Sequence, residues 1–74
     1  MRISYDEEVD AAYVTLGSPI RDGEAEHQVG FIETPNGVTQ VIIDADKDGY
    51  LLGFEILFAS EGLRKEVLDA ADPL

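Results

Sequence analysis

Three aspartates alternate with other residues in Asp44-Ala45-Asp46-Lys47-Asp48-Gly49, and Leu51 and Glu55 follow. On paper this is the calcium loop of an EF-hand. Acids stand at its first, third and fifth positions, glycine at the sixth, an apolar residue at the eighth and glutamate at the twelfth. Hard cations want oxygen ligands, and this spacing supplies them. An EF-hand loop, however, lies between helices and curls so that its last glutamate returns to the ion. Here the flanks are β-branched and aromatic, and an extended chain carries Glu55 up to about 20 Å beyond Gly49. A hairpin turn alone accounts for Asp46, Asp48 and Gly49, but not for Asp44. A reduced calcium site would use Asp44, Asp46, Asp48 and backbone carbonyls.

Glu55 is the second candidate. It stands mid-strand between Phe54 and Ile56, where an unpaired buried carboxylate is costly. Three readings stay open. A tyrosine hydroxyl or an arginine, including one from a second copy, satisfies it. Alternatively, it is an acid or base of raised pKa working with Asp10 as a small hydrolase. Otherwise it is an exposed edge residue. His27 is the only histidine, so a typical zinc site is excluded, and it reads as a surface strand residue. Tyr5 and Tyr13 read as core edges with hydroxyls in solvent. No serine sits in a nucleophile elbow, and the seven glycines are scattered singly rather than gathered into a phosphate-cradling loop.

The elements that must position these groups follow from composition and punctuation. The 74 residues suffice for one small domain, 1–74, and 45% are hydrophobic, too many for a disordered acidic tail. Sixteen acids against five bases give a net charge of −11. That sign repels nucleic acid and anionic membranes. The acidity has three readings: solubility or adaptation to high salt, a patch for a basic protein partner, or an unspecific metal sponge. Without cysteine there is no disulfide, thiolate zinc site or cysteine nucleophile. No apolar run approaches the roughly 20 residues that cross a bilayer, and the first residues lack a signal core, so a cytoplasmic setting is expected.

Two turns organise the chain. Thr34-Pro35-Asn36-Gly37 and Asp46-Lys47-Asp48-Gly49 each fit a type I turn followed by a bulge, closing three-residue hairpin loops. Strands are expected at 3–5, 11–16, 26–33, 38–45 and 50–58. Leu63, Val67, Leu68 and Ala71 mark one face of a C-terminal helix of about ten residues, with Ser60 as N-cap and Pro73 at its end. With three-residue loops, Phe31 faces Val41 and Val29 faces Ile43, joined on that face by Gly53, Glu55, Leu51 and Leu57. The opposite face collects Ile32, Val38, Ile42, Leu52, Phe54, Ile56 and Phe58. Both faces are then substantially apolar, and one short helix covers only one. A second copy of the chain is the simplest cover for the other, face to face or by edge pairing.

Tyr5-Asp6, Asp10-Ala11-Ala12-Tyr13-Val14, Val41-Ile42-Ile43-Asp44 with Asp46 and Gly49, and Gly53-Phe54-Glu55-Ile56-Leu57 with Ala59-Ser60 resemble a family of small bacterial and archaeal proteins known as DUF2283, a domain of unknown function. The likeness covers nearly the whole chain. Ala12 and Phe58 depart from the pattern in size. The resemblance implies a β-meander with a C-terminal helix and carries no activity, cofactor or catalytic residue. The expected fold is therefore α+β, an antiparallel meander of about five strands with one helix on a face. The leading functional expectation is a non-catalytic homodimeric module that binds another protein or a small ligand. The alternatives are a calcium module at Asp44–Gly49 and a hydrolase using Glu55 and Asp10.

Overall fold

The computed structural model describes all residues, Met1–Leu74. Six strands form one mixed sheet: β1 (Arg2–Asp6), β2 (Ala11–Thr15), β3 (His27–Glu33), β4 (Gln40–Ala45), β5 (Leu51–Leu57) and β6 (Asp72–Pro73). Their order is β3-β4-β5-β2-β1-β6. The five expected strands are all present, within two residues at each end. The arrangement is not a simple meander. The segment between β2 and β3 carries the chain to the far edge, so β2 pairs with β5 rather than with β3. The sixth strand pairs parallel with β1, where the Arg2–Asp72 ion pair at 2.9 Å joins the two. Pro73, which has no amide hydrogen, fits an edge strand. No helix is long and apolar enough to cross a membrane.

The expected single helix is two, α1 (Ala59–Gly62) and α2 (Lys65–Ala70), separated by extended Leu63 and Arg64. The break is tertiary in origin. Asn36 Nδ2 donates to the Glu61 carbonyl at 3.0 Å, and Thr39 Oγ1 donates to that of Phe58 at 2.9 Å. The Asn36 side chain thus takes up the Glu61 carbonyl, which a further turn of helix would have used, while Thr39 anchors the start of α1. At Gly62 a Cβ would lie 2.6 Å from Thr39 Oγ1, so only glycine permits this approach.

Register corrects the expectation about the two faces. The Asp46–Gly49 turn closes as expected: the Asp46 amide donates to the Tyr50 carbonyl at 2.9 Å and Gly49 has φ +87°. Ala45 then faces Leu51, but the ladder shifts by one residue, and Asp44 faces Gly53 while Ile42 faces Glu55. The first hairpin closes from Thr34 to Thr39, a four-residue loop rather than three, because Asn36 Oδ1 accepts from the amides of both Val38 and Thr39. A second irregularity between Val29 and Ile32 restores the expected pairing of Val29 with Ile43.

A one-residue shift moves side chains to the opposite face. One face of the sheet is therefore apolar. Ile3, Val14, Phe54, Ile43 and Val29 form one row across it, and Tyr5, Ala12, Ile56, Val41 and Ile32 the next. The other face carries Arg2, Thr15, Gly53, Asp44 and Gln28 in one row and Ser4, Tyr13, Glu55 and Ile42 in another. This is the alternation of an antiparallel sheet with one face toward a core. The cover over that core is thin. The buried apolar residues are Ala12, Ile42, Ala45 and Ala59, and no large side chain is fully enclosed. Of the helices' own residues only Ala59 of α1 is buried, with Val67 and Leu68 of α2 half-buried.

Candidate functional site

The polar face gathers most of the groups that could carry chemistry. Tyr13 on β2 faces Glu55 on β5, yet its hydroxyl reaches past Gly53 and donates to Asp44 Oδ2 on β4 at 2.7 Å. Gly53 makes that reach possible. A Cβ there would lie 2.7 Å from Tyr13 Cε1 and would also strike the Val14 carbonyl oxygen. Gln28 Nε2 on β3 donates to Asp44 Oδ1 at 2.9 Å. Asp44 is 7% exposed, and these two donors offset the cost of burying its carboxylate. Three strands, β2, β4 and β3, are thereby tied across one face, the first bond passing over β5. Burial, and then the hydrogen bond and negative charge of Asp44, push the Tyr13 phenol well above its ordinary pKa, with Glu55 adding to the effect. Tyr13 is therefore a protonated donor and not a base.

A second network lies at the turn between β1 and β2. Asp10, in the left-handed region at φ +54°, accepts from Tyr5 Oη at 2.7 Å, from the Ser60 amide at 2.9 Å and from Ser60 Oγ at 2.7 Å. Its carbonyl accepts from the Ala59 amide at 3.0 Å. Burial raises the Asp10 carboxyl, but the bonds from Tyr5 and Ser60 outweigh it and hold the group below the usual aspartate value. The Tyr5 phenol is pushed up to about 12, first by its bond to Asp10 and then by burial and nearby carboxylates. Asp10 thus supplies the helix-starting contact expected from Ser60. The N-cap position is Phe58, which has a left-handed backbone and no side-chain cap.

The candidate residues separate accordingly. Asp44 points into the Tyr13–Gln28 network. Asp46 Oδ1 accepts from the Asp48 and Tyr50 amides, both at 2.9 Å, and so braces its own turn. Asp48 is exposed. The three are not gathered into a group of His, Cys, Asp or Glu side chains able to hold a metal ion. Glu55 and Asp10 are also apart: Glu55 shares a face with Tyr13, whereas Asp10 bonds Tyr5, whose row is on the opposite face. They do not form an acid–base pair. His27 stands exposed at the start of β3. The tyrosine hydroxyls are engaged by carboxylates rather than left in solvent.

Glu55 is left without a partner in the chain. Its tyrosine neighbour spends its hydroxyl on Asp44, and neither ion pair involves it. Half-buried, it lines a shallow cavity of about 390 Å³ with Tyr13, Ser4, Asp6, Val9 and Leu74. The roles of Gln28 and Asp10 were missed from sequence. A signal existed for the tyrosine: a glycine inside a strand marks close approach by another group, and Gly53 is such a glycine.

No curated protein and no solved structure matches the chain. Residues 2–60 match the family model described as a protein of unknown function, DUF2283, and that stretch holds Tyr5, Asp10, Tyr13, Asp44, Gly53 and Ser60, the residues that build both networks. The chain belongs to the DUF2283 family.

Proposed function

We propose that the protein is a non-catalytic interaction module whose polar sheet face receives a cationic side chain from a basic partner. The observation that carries this reading is Glu55, a half-buried mid-strand carboxylate with no partner in its own chain, opening onto a cavity. Its carboxylate is not sealed from water, so an incoming cation can reach it. The cavity suits a lysine or arginine. Glu55 and Asp6 supply negative charge, the Tyr13 ring supplies a face for a cation, and Val9 and Leu74 supply apolar wall for an aliphatic stem. The one base of that face, Arg2, is already committed to Asp72. A net charge of −11 would speed encounter with a basic protein.

The non-catalytic part of the reading rests on the two networks. The hydroxyls of Tyr5, Tyr13 and Ser60 and the carboxylates of Asp10 and Asp44 are used in holding strands and α1 together. Titration with a short oligolysine or oligoarginine peptide, followed by amide chemical shifts, tests the reading. Shifts centred on Tyr13 and Glu55 are expected, and Glu55→Gln should weaken binding about tenfold, the scale of one charge-assisted hydrogen bond. An equal loss in Glu66→Gln, on α2, would show mere attraction between opposite charges and overturn the assignment.

A further inference from the structure

We infer that a second copy of this chain covers the part of the apolar face that the helices leave bare, the β3 end with Val29 and Ile32, so that the polar faces stay outward. The alternation that gathers polar groups on one side clears them from the other. The rows through Val14 and Val41 contain no charged side chain. The helical segment reaches Ile3, Val41 and Ile56, and the strip it leaves bare is the β3 end of the face, where Val29 is 57% exposed and Ile32 47%.

The exposed area gives the size of the missing cover. The chain presents 5301 Å², about 800 Å² more than the roughly 4,500 Å² of a compact monomer of 8.1 kDa. That excess is summed over the whole chain, and it is as large as the roughly 800 Å² each partner buries in an interface of standard size. The shape agrees. The molecule is a slab of 34 × 25 × 18 Å with a radius of gyration of 12.2 Å, against about 11 Å for a compact chain of this length.

The lack of charge on these rows suits a second copy, since a basic partner would find nothing there to pair with. The apolar face is a self-complementary patch, as a twofold interface requires. Contact through it keeps Glu55, Asp44 and Asp6 of both copies away from the joint. Pairing through the polar faces would instead bring like charges together. Two chains of −11 still repel at long range, so added salt should tighten this dimer.

Sedimentation equilibrium on the full chain at micromolar concentration tests the inference. The expected mass is twice 8.1 kDa, with dissociation weakening as sodium chloride rises. Val29→Lys with Ile32→Lys should give a folded monomer with association weakened at least a hundredfold, whereas Thr15→Lys on the polar face should leave the dimer intact. Should the double variant lose its sheet by circular dichroism, the milder Ile32→Ser carries the test, with about tenfold weaker association expected. A wild-type monomer overturns the inference, and so does a dimer that the Val29 and Ile32 changes leave untouched. Neither outcome bears on the cation site at Glu55, which lies on the other face.

Discussion

The two faces of the sheet are built from the same strands and solve different problems. On the polar face, Tyr13, Asp44 and Gln28 are fixed by directional bonds across four strands, and one carboxylate, Glu55, is left over. On the apolar face there is little but aliphatic and aromatic surface, and its enclosure is incomplete. Order within the chain therefore rests heavily on polar contacts, while the hydrophobic surface is available for assembly. Ile42 makes the contrast concrete. It is the best-buried large apolar residue, at 6% exposed, and it belongs to the polar face, where a Cβ at Gly30 would press on it.

Damage to the polar face should lower stability without changing assembly, and damage to the bare β3 strip of the apolar face, Val29 and Ile32, should change assembly first. The largest stability loss is expected at Gly53. In Gly53→Ala the new methyl meets the Tyr13 ring and the Val14 carbonyl, and an overpacked site with backbone on one side costs about 3 kcal/mol. Urea unfolding measures it. Next is Tyr13→Phe, which leaves Asp44 with Gln28 as its only side-chain donor; about 1–2 kcal/mol is expected. If either variant instead changed the molecular mass, the division of labour between the faces would be wrong.

Asp10→Ala should cost about 1 kcal/mol, since its three side-chain bonds are partly open to water. Its pH dependence has a definite sign. The folded-state value is depressed, so the contribution is complete above the unfolded value, about 3.9, and is lost as pH falls through the lower folded value. The acid limb of stability should flatten in the variant. The tyrosines act at the opposite end. Tyr5 is raised to about 12 and Tyr13 further, so their contribution is full below about 10 and declines as pH rises through the folded values. Tyr13→Phe should shift alkaline unfolding measured by circular dichroism. The smallest effect belongs to Lys65→Ala. Its bond to Asp69 at 2.9 Å joins two exposed side chains on α2, and the urea midpoint should not move measurably.

Strand positions were legible because β-branched runs alternate with Pro-Asn-Gly and Asp-Lys-Asp-Gly turns. Register was not, and register decides function here. The shift next to Ala45 moves Glu55 from the row of Val41 to that of Ile42 and Tyr13, and nothing local in Tyr50-Leu51-Leu52 announces it. The four-residue first loop depends on the Asn36 side chain bonding two amides. The helix break depends on Asn36 and Thr39, more than twenty residues upstream. Asp44 looked like a calcium ligand because its spacing to Asp46 and Asp48 is regular. In a strand that same alternation puts Asp44 on the sheet, while Asp46 begins the turn, and the tyrosine that claims Asp44 stands 31 residues earlier.

The proposed assembly closes the β3 end of the apolar face and leaves the polar face open to solvent. A soluble gadolinium chelate added to the isotopically labelled wild-type protein tests it most directly, by broadening signals that solvent can reach. The methyl groups of Val29, Ile32 and Ile43 should stay sharp while the Thr15 methyl and the Gln28 side-chain amide broaden. Equal broadening on both faces, or sharper signals on the polar one, would contradict it.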